Sequence, residues 1–402
     1  MAIVKPFRGI RPAHDKVHLV ASRSYISYKK RDLEAKLNSN PYSFIHIINP
    51  EFGGQKTARA NSKALFQKIR EKFEEFLSDG IFIQENENAF YIYEQYIDGE
   101  SITGIIGLAS TIDYGKGGIK IHEQTLSKRE ALFCDYLKIC DIHAEPVLLS
   151  YPDHKGLELL ISQTKKDRPL YDFSTTNRVR HKLWAIGQES LIQEVEKSFK
   201  EIPELYIADG HHRCASSYLL SQQNQIKENH PYNFFMSLFV PESQLKIFEF
   251  NRLIKDLNGM DAREFLEALE EHFEISLKEE LFEPSKKGQF SLYLNEQWYS
   301  LNCKRITDLL DAQLLNELVL APLLDIKDLR NDKRVGFIGG KGAALRMKAA
   351  VDKNKFTAAF GLYPVDISEL KGIADKGEIM PPKSTYIEPK LRSGLTIYSY
   401  SK

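Results

Sequence analysis

The sequence predicts a mixed α/β (α+β) protein organised in two regions. Three observations carry that expectation. Segments with apolar residues at helical spacing alternate with short β-branched and aromatic runs bounded by glycine or proline. At 402 residues the chain exceeds what one hydrophobic core ordinarily serves. Hydrophobic residues make up 42% and charged residues 27%, as in a globular protein that folds in water.

The elements follow in order. Residues 29–40 (KKRDLEAKLNSN) have helical spacing, and 41–50 (PYSFIHIINP) read as a strand between prolines. Residues 62–80 form an amphipathic helix with Leu65, Phe66, Ile69, Phe73 and Leu77 on one face, closed by Gly80. Strands are expected at 81–84, 89–97, 102–111 and 118–125, with Gly117-Gly118 marking a turn. A second helix covers 127–143 and a strand 144–151. Then come a strand at 179–186, a helix at 189–202 and a strand at 204–208. Strands at 233–241 and 245–257 follow, and the texture turns acidic and helical after 259. A hairpin is expected at 290–301, and strand, glycine turn and helix at 335–354. A strand at 356–365 and a helix at 366–378 complete the pattern. The boundary falls in the 240–260 stretch, giving regions 1–250 and 251–402.

Composition narrows the function classes. Lys plus Arg and Asp plus Glu are 55 each, so no broad positive field marks a nucleic acid or an anionic membrane as partner. The four cysteines form no C-x-x-C pair, which argues against a structural zinc site and a disulfide framework. The start of the sequence has no apolar signal region, and no run of about 18 apolar residues occurs. A cytoplasmic protein without a membrane partner is expected, with nucleic acid an unlikely ligand.

The sharpest chemical signal is ELYIADGHHRCASSYLL, residues 204–220. Leu205–Ala208 favours a strand, Asp209-Gly210 breaks it, and Ala215, Tyr218 and Leu219 point to a helix. Gly210, His211, His212 and Arg213 then lie on the first turn of that helix, where unpaired N–H groups attract anions, phosphate above all. Arg213 adds a planar fork of donors, and Asp209 suits Mg2+ held beside a phosphate. A metal-only site fits less well, because adjacent histidines on a helix diverge by about 100°.

Secondary candidates surround it. Lys383, Ser384 and Thr385 follow two prolines and could offer an ammonium and two hydroxyls to a phosphate, with Lys390 and Arg392 extending the positive charge. In KIHEQT, Glu123 could accept a proton from a substrate hydroxyl. If that stretch is a strand, His122 faces the other way. Asp172, Arg178, Arg180 and His181 rank below these, and Gly339, Gly340 and Gly342 read as a turn lacking G-x-G-x-x-G spacing.

ADGHHR, together with KPFRGIRP, NPYSFIHIINPE, IHEQT and MPPKSTYIEPKLRSGL, resembles end to end a bacterial family catalogued as a domain of unknown function. The D-G-H-H-R core also resembles the phosphate-binding signature of the ParB and sulfiredoxin superfamily, one branch of which comprises kinases of free L-serine. The resemblance implies a ParB/sulfiredoxin-like nucleotide-binding core with an additional α/β C-terminal region. It implies ATP or ADP with Mg2+ as cofactors and a small serine-like metabolite as substrate. Asp209 then maps to the metal- or substrate-side acid and His211, His212 and Arg213 to the phosphate cradle. The family pattern departs at Ile26, where an aspartate is expected. That departure leaves a catalytically silent nucleotide-binding regulator as the alternative.

Overall fold

The structure is a computed structural model, and it describes residues 2–223, 230–305, 307–329 and 331–402. The Ile26 side chain lies outside the described residues. The chain divides into two compact units, Met1–Leu245 with Pro389–Lys402, and Lys246–Glu388. The C-terminal segment thus joins the first unit, where a simple cut at 250/251 had placed it in the second.

A nine-stranded sheet organises the first unit. Its strands are β1 (Val4–Lys5), β2 (Phe90–Ile97), β3 (Glu100–Ser110), β4 (Ile119–Lys120), β5 (Val147–Tyr151), β6 (Tyr171–Ser174), β7 (Arg180–Ile186), β8 (Leu205–Asp209) and β9 (Phe234–Pro241). The order is β4-β8-β5-β9-β3-β2-β7-β6, with β1 on β3. Pairings β4–β8 and β5–β9 are parallel and the others antiparallel. Helices are α1 (Lys63–Ser78), α2 (Ser127–Cys140), α3 (Lys155–Thr164), α4 (Glu189–Glu201) and α5 (His211–Gln222). Leu157, Leu160, Val195 and Phe199 of α3 and α4 form one core with Ile92, Ile105, Leu149 and Ile207 of the sheet. A second cluster joins Phe66, Ile69 and Phe73 of α1 to Phe44, Phe82, Ile142 and Ile397.

Several expectations are corrected. Residues 45–48 make a helical turn, not a strand, although Ile45 and Ile47 are buried and His46 and Ile48 only half-buried, the alternation a strand would also show. Strand pairing in 118–125 stops at Lys120. Helix α3 was not anticipated, although Leu157, Leu160, Ile161 and Thr164 carry its period. The inward face of α5 runs through Cys214, Ser217 and Leu220, with Tyr218 and Leu219 only half-buried, because the small residues at the helix start let it pack closely.

The second unit is built on a seven-stranded antiparallel sheet. It comprises β10 (Lys246–Ile254), β11 (Phe273–Lys278), β12 (Gln289–Leu294), β13 (Gln297–Cys303), β14 (Val335–Gly339), β15 (Ala358–Gly361) and β16 (Thr385–Glu388). The order is β11-β13-β12-β15-β10-β14, with β16 on β10. Leu292, Leu301, Phe360, Phe265 and Leu320 are among its fully buried residues. The glycine turn after β14 is a turn, as expected. Arg346 donates to the Gly339 carbonyl at 2.8 Å and the Lys341 carbonyl at 2.7 Å, and the Tyr386 ring covers Gly340.

Among the described residues, no helix is long and apolar enough to cross a membrane.

Candidate functional site

The local sequence explains why the chain turns where β8 meets α5. The ladder of β8 shifts register between Ile207 and Asp209, and Gly210 follows with φ +106°. An L-residue resists that backbone conformation, whereas glycine adopts it freely. The Arg213 side chain folds back over the glycine, so that a Cβ at position 210 would meet Nη2 at 3.0 Å and Nε at 3.1 Å. The turn therefore requires glycine twice over.

Arg213 is anchored as well as presented. Its Nη1 donates to the Pro146 carbonyl at 2.7 Å and the Glu145 carbonyl at 3.2 Å, and pairs with Glu145 Oε1 at 3.1 Å. Nη2 lies 3.8 Å from Asp209 Oδ2. One edge of the guanidinium thus fastens the turn to the loop before β5, and the other edge stands over Gly210. Asp209 is half exposed and has a second cation, Lys390 Nζ, at 3.9 Å.

Behind the turn sit two buried imidazoles. The rings of His122 and His211 meet edge to face with centroids 4.4 Å apart. The His122 backbone N–H donates to His211 Nε2 at 3.4 Å. Because Nε2 accepts, the proton of neutral His211 resides on Nδ1. That atom faces Glu123 Oε2 across 3.7 Å. His122 is 3% exposed, and its Nδ1 is buried with no hydrogen-bond partner. Burial pushes the His122 imidazole down to about 4 against the opposing pull of Asp209. Burial, then the neighbouring His122 and His212 rings, hold His211 well below the usual histidine range. Both rings are neutral at pH 7.

These placements sort the expected residues. Asp209, Gly210, His211, Arg213 and Glu123 come together in the first unit, with His212 next to them on α5. Lys383, Ser384 and Thr385 belong to the second unit. There Lys383 Nζ lies over the Phe250 ring at 5.0 Å, Ser384 Oγ donates to the Pro381 carbonyl at 2.8 Å, and Thr385 pairs with Glu249 in the sheet. The expectation that only one of His122 and Glu123 could serve a site is corrected. The strand ends at Lys120, alternation no longer applies, and both residues reach His211. Asp172 and Arg180 form a surface ion pair at 2.7 Å. His181 is fully buried, bonded through Nδ1 to the Tyr93 hydroxyl at 2.8 Å.

Sequence reasoning missed Glu145, which holds Arg213, and underrated His122. The parallel pairing of Leu205 with Ile119 is what carries residues 122–123 to the turn, and no local signal announces it.

Among the described residues, no group of three or more His, Cys, Asp or Glu side chains could hold a metal ion alone. Asp209 offers a single carboxylate, which suits Mg2+ arriving with phosphate oxygens rather than a resident metal.

No curated protein matches the chain. Among solved structures it is similar to a free serine kinase in complex with AMP, at 15% identity and a TM-score of 0.37, over 73% of this chain and 90% of that one. It is similar to SbnI with a C-terminal truncation from Staphylococcus aureus, at 11% identity and a TM-score of 0.39, over 72% and 85%. A conserved hypothetical protein from Pyrococcus furiosus matches at 17% identity and a TM-score of 0.37, over 73% and 95%. A family model described as Protein of unknown function (DUF1015) matches residues 4–325, and the chain belongs to that family.

Proposed function

We propose that the first unit is a ParB/sulfiredoxin-like nucleotide-binding core that transfers a phosphoryl group from ATP or ADP to a small hydroxylated metabolite, with free L-serine the first choice. The observation that carries this is the Gly210 turn. A twelve-residue helix, α5, opens beside Asp209, an edge of the Arg213 guanidinium and the buried His122 imidazole, whose Nδ1 has no hydrogen-bond partner. The amino end of α5 attracts phosphate oxygens, and Arg213 Nε and Nη2 add donors from the same side. Asp209 would hold Mg2+ against those oxygens, where the ion neutralises charge developing on the transferred group. Glu123 takes the proton of the attacking hydroxyl as the new P–O bond forms and the bond to the leaving nucleotide breaks. His211 Nδ1–H orients that carboxylate. The resemblance of D-G-H-H-R to the serine-kinase signature supports the choice of acceptor.

Purified protein incubated with L-serine, MgATP or MgADP should form O-phosphoserine, read by 31P NMR. Folded protein that binds nucleotide and yields no phosphoserine with either donor would exclude the serine kinase. The departure at Ile26, where the family pattern has an aspartate, supports one second reading, a silent nucleotide-binding regulator. A nucleotide-dependent rise in Tm with no turnover on any hydroxylated acceptor would select it.

A further inference from the structure

Arg392 is a buried cation without an anion. It is 6% exposed, and its Nη2 donates to Asn177 Oδ1 at 2.7 Å and Thr175 Oγ1 at 3.1 Å, both neutral. Among the described residues no carboxylate pairs with it. Around it stand the neutral phenols of Tyr93 and Tyr28 and a second cation, Arg23. Removing an arginine from water beside a like charge is costly unless a counter-charge is supplied.

The Arg392 guanidinium lies at residues 175–177, between β6 and β7, while its neighbours in the chain reach the residues of the Gly210 turn. Two residues earlier, Lys390 reaches Asp209 at 3.9 Å. One residue later, Ser393 Oγ donates to Glu145 Oε2 at 3.0 Å, the carboxylate that holds Arg213. The chain is therefore pinned to the turn on both sides of Arg392. The contacts of Nη2 fix the plane of the guanidinium, and its other donors remain for a ligand with two oxygens, the geometry that an arginine fork matches best.

We propose that Arg392 binds the carboxylate of the acceptor, so that the substrate class is a small hydroxylated carboxylic acid. This rests on the phosphotransferase reading for the word acceptor, and the test separates the two. The full-length protein is titrated calorimetrically with L-serine, glycerate and L-serinamide, each with and without MgADP, and MgADP is titrated alone. At least one acid should bind, and serinamide, which lacks the carboxylate, should bind roughly 10- to 100-fold more weakly than L-serine or not at all. Arg392→Gln should lose acid binding by a similar factor and keep its affinity for MgADP, while Arg392→Lys, charged but without the fork, should fall between. Four results would overturn the assignment: no acid binds, serinamide equals serine, Arg392→Gln retains acid binding, or Arg392→Gln loses MgADP instead, which would make the ligand a nucleotide phosphate. Should Arg392→Gln not fold, the acid–amide comparison on the unaltered protein decides. A protein that binds acids through Arg392 but neither binds MgADP nor transfers phosphate would sink the proposed function alone.

Discussion

At the scale of single residues, the candidate site keeps polarity where a core would discard it. His122 is the clearest case: its ring packs edge to face on His211, yet its buried Nδ1 has no hydrogen-bond partner, which costs stability. His122→Leu removes that atom at nearly constant volume. It should leave the protein as stable or more stable by about 1 kcal/mol, while phosphoryl transfer falls because the His211 ring that orients Glu123 loses its edge-to-face neighbour. Equilibrium urea unfolding and phosphoserine formation measured on the same preparation separate the two effects. If stability drops and activity persists, His122 is packing and nothing more. Asp209→Asn makes the complementary test. Its side chain is half exposed, so stability should hardly change, while the MgADP titration should lose its magnesium dependence.

At the scale of elements, what was legible depended on whether the cause was local. Helices α1, α2 and α4 declare themselves through apolar spacing, and Ser62 caps α1 by accepting the Leu65 N–H at 3.3 Å. The strand–glycine–helix passage at 205–222 was legible because each of its determinants lies within a few residues. Residues 41–50 were misread because two flanking prolines and a run of isoleucines suit a strand and a buried helical turn alike. The meeting of His122 with His211 was not legible at all, since it depends on β4 pairing with β8 across the fold. Nor was the arrival of Lys390 at Asp209, because the chain leaves the first unit at Leu245 and returns at Pro389. The turn itself makes a local prediction. Gly210→Ala forces an L-residue to φ +106° and drives a methyl against the Arg213 fork. It should cost roughly 1–3 kcal/mol and free Arg213 from Glu145 and Pro146. An unchanged unfolding midpoint would mean that the backbone relaxes at no cost and that the fold does not depend on this turn.

For the whole molecule, the two units should respond to acid with opposite signs. The first unit buries histidines whose folded pKa lies below the unfolded value of about 6.5. Burial takes His122 to about 4 and both His143 and His181 to about 3, and His211 moves the same way. Such a group stabilises the fold above pH 6.5, and that contribution drains away as pH falls toward the folded value, because the unfolded chain takes up the proton first. Each of the four rings adds up to about 1.4 kcal/mol per pH unit to the slope in the middle of the window. In the second unit, burial raises Asp311 to about 6, against the hydrogen bonds it accepts from Gly288 and Tyr363. Its sign is reversed: the folded state holds the proton more tightly, so stability is gained as pH falls from about 6 toward about 4. Hydrogen exchange read by mass spectrometry at pH 7.5 and pH 5, corrected for intrinsic rates, compares β2 and β3 of the first sheet with β12 and β13 of the second. Protection of β2 and β3 should fall by orders of magnitude while that of β12 and β13 holds. If both sheets lose protection in step, the buried imidazoles of the first unit do not govern its acid response, and their neutrality in the candidate site would lose its main physical support.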